Sequence, residues 1–455
     1  MLNEKILKEI LNIPSLNSEI KDIHWKSQES DAHSILFYKI LDDEKSQNIF
    51  NERIKNSKFA WLITSQDHPS RPKNSSVLAE SEWPLVQKMI LDEFYPVPNL
   101  KLIAVTGTNG KTTTADLVLQ LGELCGKKGF SIGTLGVREN HKTILDFGLT
   151  SPSYIDLRKF LNKYGRGKDF CVLEASSHAL VQERLYGLKF HMAGWLSFSQ
   201  DHLDYHKTME EYFTAKMHIF NLLDSTATLF VPFEQDELFR EIKKLKSNVS
   251  KSRVLNQKLP LFFSTKFNQN NLEVAVELVE NTFQVKIPDV LELLIPPDGR
   301  FFIRHFKSNY IIVDFAHTPD ALENICLGIK NAFPQHKLKV LFGCGGDRDR
   351  AKRPLMGQIA DAYSDKIYLT SDNPRGEDPE QIISDVMSGI TSIHKIVKIV
   401  ERPQAVQRAF SEIKENEVLL LAGKGHEDYI LVKGVKHPYS DISEVEKFLL
   451  KENNK

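Results

Sequence analysis

The sequence predicts an α/β protein whose sheets are mainly parallel, and two observations predict it. Short apolar runs alternate with amphipathic stretches along most of the chain, the switch of period expected of βαβ units. Most of those runs also close on a polar or glycine-rich cluster: Glu174, Asp201-His202, Asp314, residues 343–347, Asp372 and Gly423. Open α/β sheets bind ligands at the carboxyl ends of their strands. The same clusters are therefore the first candidates for function.

The elements follow in chain order. Residues 1–16 mix Glu4, Lys5, Lys8 and Glu9 with leucines and isoleucines, and read as a small amphipathic helix, not a signal peptide. Tyr95-Pro96-Val97-Pro98-Asn99 cannot be helical and makes a poor central strand, so it marks a linker. Leu102-Ile103-Ala104-Val105 is a strand, and residues 112–125 form a helix with Leu117, Val118, Leu121 and Leu124 at helical spacing. Further strands are expected at 170–173, 195–198, 310–313, 340–342, 367–370 and 418–422, and residues 212–216 read as helix. A second break falls at Ile295-Pro296-Pro297-Asp298-Gly299. The expected domains are residues 1–97, 98–297 and 298–455. The central one is expected to carry a P-loop-type parallel sheet and the last a Rossmann-like sheet.

Of the 455 residues, 26% are charged and 41% hydrophobic, which excludes a disordered chain. Fifty-nine basic residues meet 60 acidic ones, a balance that argues against a nucleic-acid partner. An anionic ligand must then be held by local charge and backbone N–H groups. No apolar run approaches the ~20 residues that cross a bilayer, so no membrane insertion is expected. Cys125, Cys171, Cys326 and Cys344 have neither CxxC pairing nor metal-ligand spacing, and read as reduced thiols of a cytoplasmic protein. A monomer is expected.

Gly107-Thr108-Asn109-Gly110-Lys111-Thr112-Thr113 follows the first strand of the central segment and opens its helix. The glycines let backbone N–H groups turn toward a phosphate, and the helix N-terminus adds positive partial charge. Lys111 would reach the β- and γ-phosphates and the Thr112 hydroxyl would ligate Mg²⁺. The spacing, GxxGKT, is two residues shorter than GxxxxGK[ST]. Glu174-Ala175-Ser176-Ser177-His178 and Asp201-His202-Leu203-Asp204-Tyr205-His206 each follow a strand, and Lys216 stands ten residues beyond His206. An acid, an imidazole and a lysine beside such a loop suit phosphoryl transfer, where placed charge does most of the catalysis.

On these motifs the chain resembles the Mur ligase family, from about Lys101 to Ser440. Folylpolyglutamate synthetases share the shortened loop and also join an amino acid to a carboxylate. The resemblance implies the three-domain Mur architecture and ATP bound by Gly107, Thr108, Asn109, Gly110, Lys111, Thr112 and Thr113. It implies Mg²⁺ ligation by Thr112, Glu174, His202 and Lys216, the lysine as a CO₂-derived carbamate; Lys111, His202 and Lys216 are then the catalytic residues. A carbamate is anionic and offers two oxygens to a hard cation, whereas an ammonium would repel it. Thr150, Ser151, Ser176, Gln182 and Arg184 resemble segments that hold a UDP-N-acetylmuramoyl dipeptide. Arg300 resembles the hinge arginine that reaches ATP. Asp314-Phe315-Ala316-His317-Thr318-Pro319-Asp320-Ala321-Leu322 is nearly the family's DYAHTPDAL, with Asp314 and His317 facing the nucleotide. Phe267-Asn268 and Asn271 match the FNxxN segment beside the adenine, although Thr265 stands where the family has glycine.

Three C-terminal clusters resemble the MurE branch of the family: residues 343–349, Asp372-Asn373-Pro374-Arg375, and Gly423-Lys424-Gly425-His426-Glu427. They imply meso-diaminopimelate as the added amino acid. Arg375 would take its distal carboxylate and Glu427 its distal ammonium, with Gly423 allowing close backbone approach. Arg348, Asp372, Asn373 and Pro374 would hold the rest. The N-terminal segment departs from that branch. Counting back from Leu36-Phe37, Ser27-Gln28-Glu29 replaces the usual Asp-Ser-Arg, and residues 42–50 run straight into 54–63 without a glycine-rich stretch. It reads as a trimmed UDP-substrate domain, and no uridine contact is assigned in it.

The implied function is an ATP- and Mg²⁺-dependent ligase of peptidoglycan precursor synthesis. It would join meso-diaminopimelate to the D-glutamate of UDP-N-acetylmuramoyl-L-alanyl-D-glutamate through an acyl phosphate. Within the class the alternatives are an L-lysine-adding relative and a folylpolyglutamate synthetase-like ligase. A rival from another class is a P-loop ATPase or regulator that has lost ligation.

Overall fold

The structure is a computed structural model and describes residues 4–11, 19–255 and 259–453. The first helix is described over Glu4–Leu11; the remainder of the amphipathic stretch expected over 1–16 lies outside the described residues.

The first sheet contains β1 (Asp22–His24), β2 (Ser34–Tyr38), β3 (Trp61–Thr64) and β4 (Ser75–Val77), all parallel and in that order. The second contains β5 (Lys101–Thr106), β6 (Gly129–Gly133), β7 (Gly136–Glu139), β8 (Lys142–Leu145), β9 (Phe170–Glu174), β10 (Phe190–Trp195), β11 (Leu223–Val231) and β12 (Val249–Lys251). Its order is β12-β11-β10-β5-β9-β6-β7-β8, antiparallel only across β6-β7-β8. The third contains β13 (Phe302–Phe306), β14 (Asn309–Asp314), β15 (Lys337–Phe342), β16 (Lys366–Leu369), β17 (Ile396–Lys398) and β18 (Glu417–Ala422), ordered β13-β14-β18-β15-β16-β17. Only β13 runs antiparallel there. A hairpin of β19 (Tyr429–Val432) and β20 (Val435–Pro438) follows.

The central strands read as continuous apolar runs because both of their faces are covered; β9 and β18 are buried at every position. One apolar cluster runs from Ile103 and Leu117 through Phe262 and Phe301 to Ile312 and Val340. The second and third sheets therefore share a core. The strand expected at 195–198 is corrected: β10 ends at Trp195. Beyond it Leu196 N–H still donates to Thr106 O (3.0 Å), and Ser197 O then accepts from Thr108 N–H (3.0 Å). Residues 196–198 thus leave the sheet to brace the glycine loop. The strand before them was illegible because Phe190-His191-Met192-Ala193-Gly194 lacks β-branched residues.

Two polar devices join the bodies, and a third ties down the last helix. Arg158, 1% exposed, donates to Leu91 O, Tyr95 O and Asp92 and so fastens the first body to the helix Tyr154–Tyr164. Gln120 pairs its amide with the Ile295 backbone (2.9 and 3.1 Å), and Arg138 bonds Asp298 at 2.6 Å and Asp116 at 3.2 Å. The proline-rich linker is thereby clamped to the central body as far as Gly299, whose φ is +68°. Finally, fully buried Arg402 forms a two-pronged pair with Asp441 (3.0 and 2.6 Å), tying down the helix Asp441–Asn453.

Candidate active site

β5 turns into the helix Lys111–Leu124 through Gly107 and Gly110, whose φ values of 143° and 88° suit glycine. A Cβ at Gly110 would also collide with the Asn271 side chain, which places Asn271 beneath the loop, buried and away from the open cleft. Lys111 Nζ folds back to donate to Gly107 O (2.8 Å) and Thr108 O (2.9 Å). Lys216 Nζ donates to the same Gly107 carbonyl at 2.9 Å. Two amines thus compete for one acceptor. Burial holds the Lys216 amine well below the usual lysine range, and Lys111 beside it pushes the same way.

Glu174 leaves the end of β9. Its Oε2 accepts from the hydroxyls of Thr112 and Thr134 (both 3.1 Å), and its Oε1 accepts from Thr134 N–H at 2.9 Å. Burial raises its carboxyl pKa, against the attraction of Lys111. Thr112, Glu174 and Thr134 present hard oxygen donors that fit Mg²⁺. Among the described residues no three His, Cys, Asp or Glu side chains form a ready cage. Mg²⁺ needs none, because it commonly binds through one or two protein groups together with substrate phosphates. His202 sits at a left-handed φ of 56°, its Nε2 3.4 Å from Asp201 Oδ2. Burial drives its pKa to about 3, so it stands as a neutral nitrogen donor.

The residues expected to hold the UDP-dipeptide assemble around Glu174. Ser151 Oγ donates to Glu174 O (2.8 Å) and lies 3.2 Å from Ser176 Oγ, while Thr150 Oγ1 lies 3.2 Å from Thr134 Oγ1. Arg184 donates to Ser151 O at 2.8 Å. Gln182 does not line the cleft; its Oε1 steadies Arg184 from behind at 3.0 Å.

Residues expected near the nucleotide line a second, narrow cavity of about 40 Å³, bordered by Gly110, Thr113, Asn268, Arg300, Asp314 and Phe315 among others. Asp314 accepts from Phe301 N–H (2.7 Å) and Ala316 N–H (2.8 Å). Arg300 lies 4.6 Å from the Phe315 ring centroid and reaches Thr112 Oγ1 at 3.4 Å. His317 faces the main cleft, held neutral by burial with a pKa of about 4.

The loops after β14, β15, β16 and β18 converge on that main cleft, whose volume is about 460 Å³. Thr108, Lys111, Glu174, His202 and Lys216 line one side; Arg348, Asp372, Asn373, Arg375, Gly423 and Glu427 line the other. Arg375 holds a φ of 52° and donates to Gly346 O at 2.8 Å. Pro374 points its carbonyl at Gly346 and stays outside the cleft. Across the cleft, Asn109 donates to Asp320 (2.9 Å) and Thr318 (3.1 Å), and Gln200 donates to Asp349 (3.0 Å). Lys352 approaches Asp201 at 3.7 Å.

Sequence reasoning assigned no role to four residues that the geometry makes central: Thr134, Asp201, Lys352 and Lys424. Asp201 and Lys424 lie inside the quoted motifs, so adjacency was an available signal. Thr134 and Lys352 gave none, since only the fold carries them to Glu174 and Asp201.

Residues 105–296 match the Mur ligase middle domain, and residues 299–425 match the Mur ligase glutamate ligase domain. A UDP-N-acetylmuramoyl-L-alanyl-D-glutamate–2,6-diaminopimelate ligase of Aquifex aeolicus is 34% identical, covering 98% of this chain and 94% of its own. Another ligase of that name, from Clostridium acetobutylicum, is 32% identical, with 96% of each chain covered. A solved structure of a ligase of the same name superposes with a TM-score of 0.64 at 28% identity, covering 100% of both chains.

Proposed function

The chain belongs to the Mur ligase family, and from that premise we propose that it is an ATP-dependent ligase joining meso-diaminopimelate to UDP-N-acetylmuramoyl-L-alanyl-D-glutamate. The observation that carries this reading is the single cleft between the glycine loop and the four C-terminal strand ends. It puts a phosphate loop, a serine–arginine cradle and a paired arginine–glutamate pocket within reach of one reacting carboxylate. In this reading residues 1–97 hold the UDP end, 98–297 hold ATP and 298–455 hold the amino acid. The chain works as a monomer in the cytoplasm, where its four free thiols stay reduced.

Lys111 leaves the loop carbonyls and donates to the phosphates. The backbone N–H groups from Gly107 to Thr113 cradle them, with Asn268, Asp314 and His317 toward the nucleoside and Asn271 supporting the loop from beneath. Thr112, Glu174 and His202 would hold Mg²⁺, which would screen the charge of the transferring phosphoryl group. The Lys216 amine, which burial favours in its uncharged form, adds CO₂: an N–C bond forms, a proton leaves to solvent, and the resulting carbamate would complete the cation site. The γ-phosphoryl group passes to the D-glutamate carboxylate, which is held by Thr150, Ser151, Ser176 and Arg184. Arg348, Asp372 and Asn373 then align the amine, which attacks the acyl phosphate and expels phosphate. Closure around Arg300 excludes water, so the acyl phosphate meets the amine first.

The test is phosphate release with ATP, the UDP-dipeptide and a panel of amino acids. Release should require the UDP-dipeptide and be fastest with meso-diaminopimelate. ATP hydrolysis that is unchanged by the UDP-dipeptide would overturn the ligase reading, and equal use of L-lysine would overturn the choice of amino acid.

A further inference from the structure

Lys424 sits just past β18 with no solvent-exposed surface. An ammonium offers three donors, and three acceptors surround this one: Glu427 Oε2 at 2.8 Å, Asp372 Oδ1 at 3.0 Å and Asn373 Oδ1 at 3.1 Å. Asn373 Nδ2 also donates to Glu427 Oε2, at 2.8 Å. Both contacts fall on the same carboxylate oxygen. Glu427 is thereby held by Oε2, while Oε1 accepts no hydrogen bond from the described residues and is left to the cleft.

We propose that Lys424 is the residue that makes this site choose a distal ammonium–carboxylate pair over a lone ammonium. The proposal rests on the diaminopimelate reading above. At this end of the cleft Arg348 pairs with Asp204 at 3.9 Å and Lys424 with Asp372 and Glu427, whereas Arg375 has no carboxylate at ion-pair distance among the described residues. A side chain ending in both an ammonium and a carboxylate brings no net charge, and its carboxylate meets the unpaired Arg375. A side chain ending only in an ammonium must share Glu427 with Lys424 and faces Arg375 with no anion between them. Lys424 thus aims Glu427 at the ligand and withholds part of its charge. It acts through Glu427 and touches no reacting atom, so it is a positioning and specificity residue.

The test uses the full chain with ATP and the UDP-dipeptide, comparing kcat/KM for meso-diaminopimelate and L-lysine in the unmodified enzyme, Lys424→Met and Lys424→Gln. The unmodified enzyme's preference reads the substrate assignment alone. In Lys424→Met the KM for diaminopimelate should rise about tenfold and that for ATP should change little, because Glu427 loses its brace. The preference for diaminopimelate over lysine should fall about tenfold in both variants, since each removes the cation that shares Glu427 and so leaves its full charge to a lone ammonium. Lys424→Gln retains two N–H donors, so it supplies the measurement if the methionine variant melts early. A folded variant of either kind that keeps the unmodified enzyme's preference overturns the proposal, whatever happens to its KM.

Discussion

Lys216 and Lys111 aim two amines at the Gly107 carbonyl, and only one of them can stay charged there at low cost. Lys216→Ala should lose most turnover and recover part of it with added short-chain carboxylic acids, which replace the carbamate oxygens. Full activity of that variant without any added acid, measured by phosphate release, would remove the carbamate from the scheme. His317 and His426 are held neutral by burial, each with a pKa of about 4 against an ordinary 6.5. Between those values the unfolded chain binds more protons than the folded one, so stability rises with pH across the window. The melting temperature should therefore fall as pH drops from 6.5 toward 4. His426→Gln should flatten that slope, and an unchanged slope would show that this imidazole stays neutral in neither state. Motif residues such as Lys111, Glu174 and Arg375, all of which line the main cleft, were singled out through their resemblance to family motifs. Thr134 and Lys352 were not, because neighbours in space gave no pattern in the chain.

At the scale of elements, the apolar runs that became β5, β9, β14, β15, β16 and β18 were readable because strands covered on both faces are continuously apolar. The short β7, and β8 with every residue exposed, carried no such signal. Thr265 looked like a departure at a glycine position. It caps the helix Lys266–Phe283 through its side chain, and its methyl presses on Gly328, where a Cβ would collide with it. The space a side chain at 265 requires is thus supplied by a missing one at 328, and Gly328→Ala should lower both stability and ATP affinity. Arg402 and Asp441 are a sharper case. Removing one partner of a buried pair leaves an uncompensated charge, at a cost of about 3–5 kcal/mol. Arg402→Met should lower the melting temperature of the whole chain by several degrees. A loss within one degree would show that the helix Asp441–Asn453 is held by its apolar face alone.

For the whole molecule, the two proline-rich breaks were legible as breaks, yet nothing in them revealed how tightly the neighbouring bodies would be bound. Arg158, Gln120 and Arg138 supply that binding from helices and strands far away in sequence. The clamp on the linker has a further consequence, best stated as a tether. Because Gln120 holds Ile295 and Arg138 holds Asp298, the free span before Arg300 shrinks to a single peptide at Gly299. The C-terminal body then explores little volume, and the loops carrying Arg375 and Glu427 face the glycine loop at a high effective concentration. That concentration falls steeply as a linker lengthens. Inserting Gly-Ser-Gly after Gly299 should slow turnover several-fold while the isolated ATP and amino-acid affinities hold, and Gln120→Leu should do the same to a lesser degree. Turnover indifferent to the added length would mean that the ligands, and not the tether, bring the two halves of the cleft together.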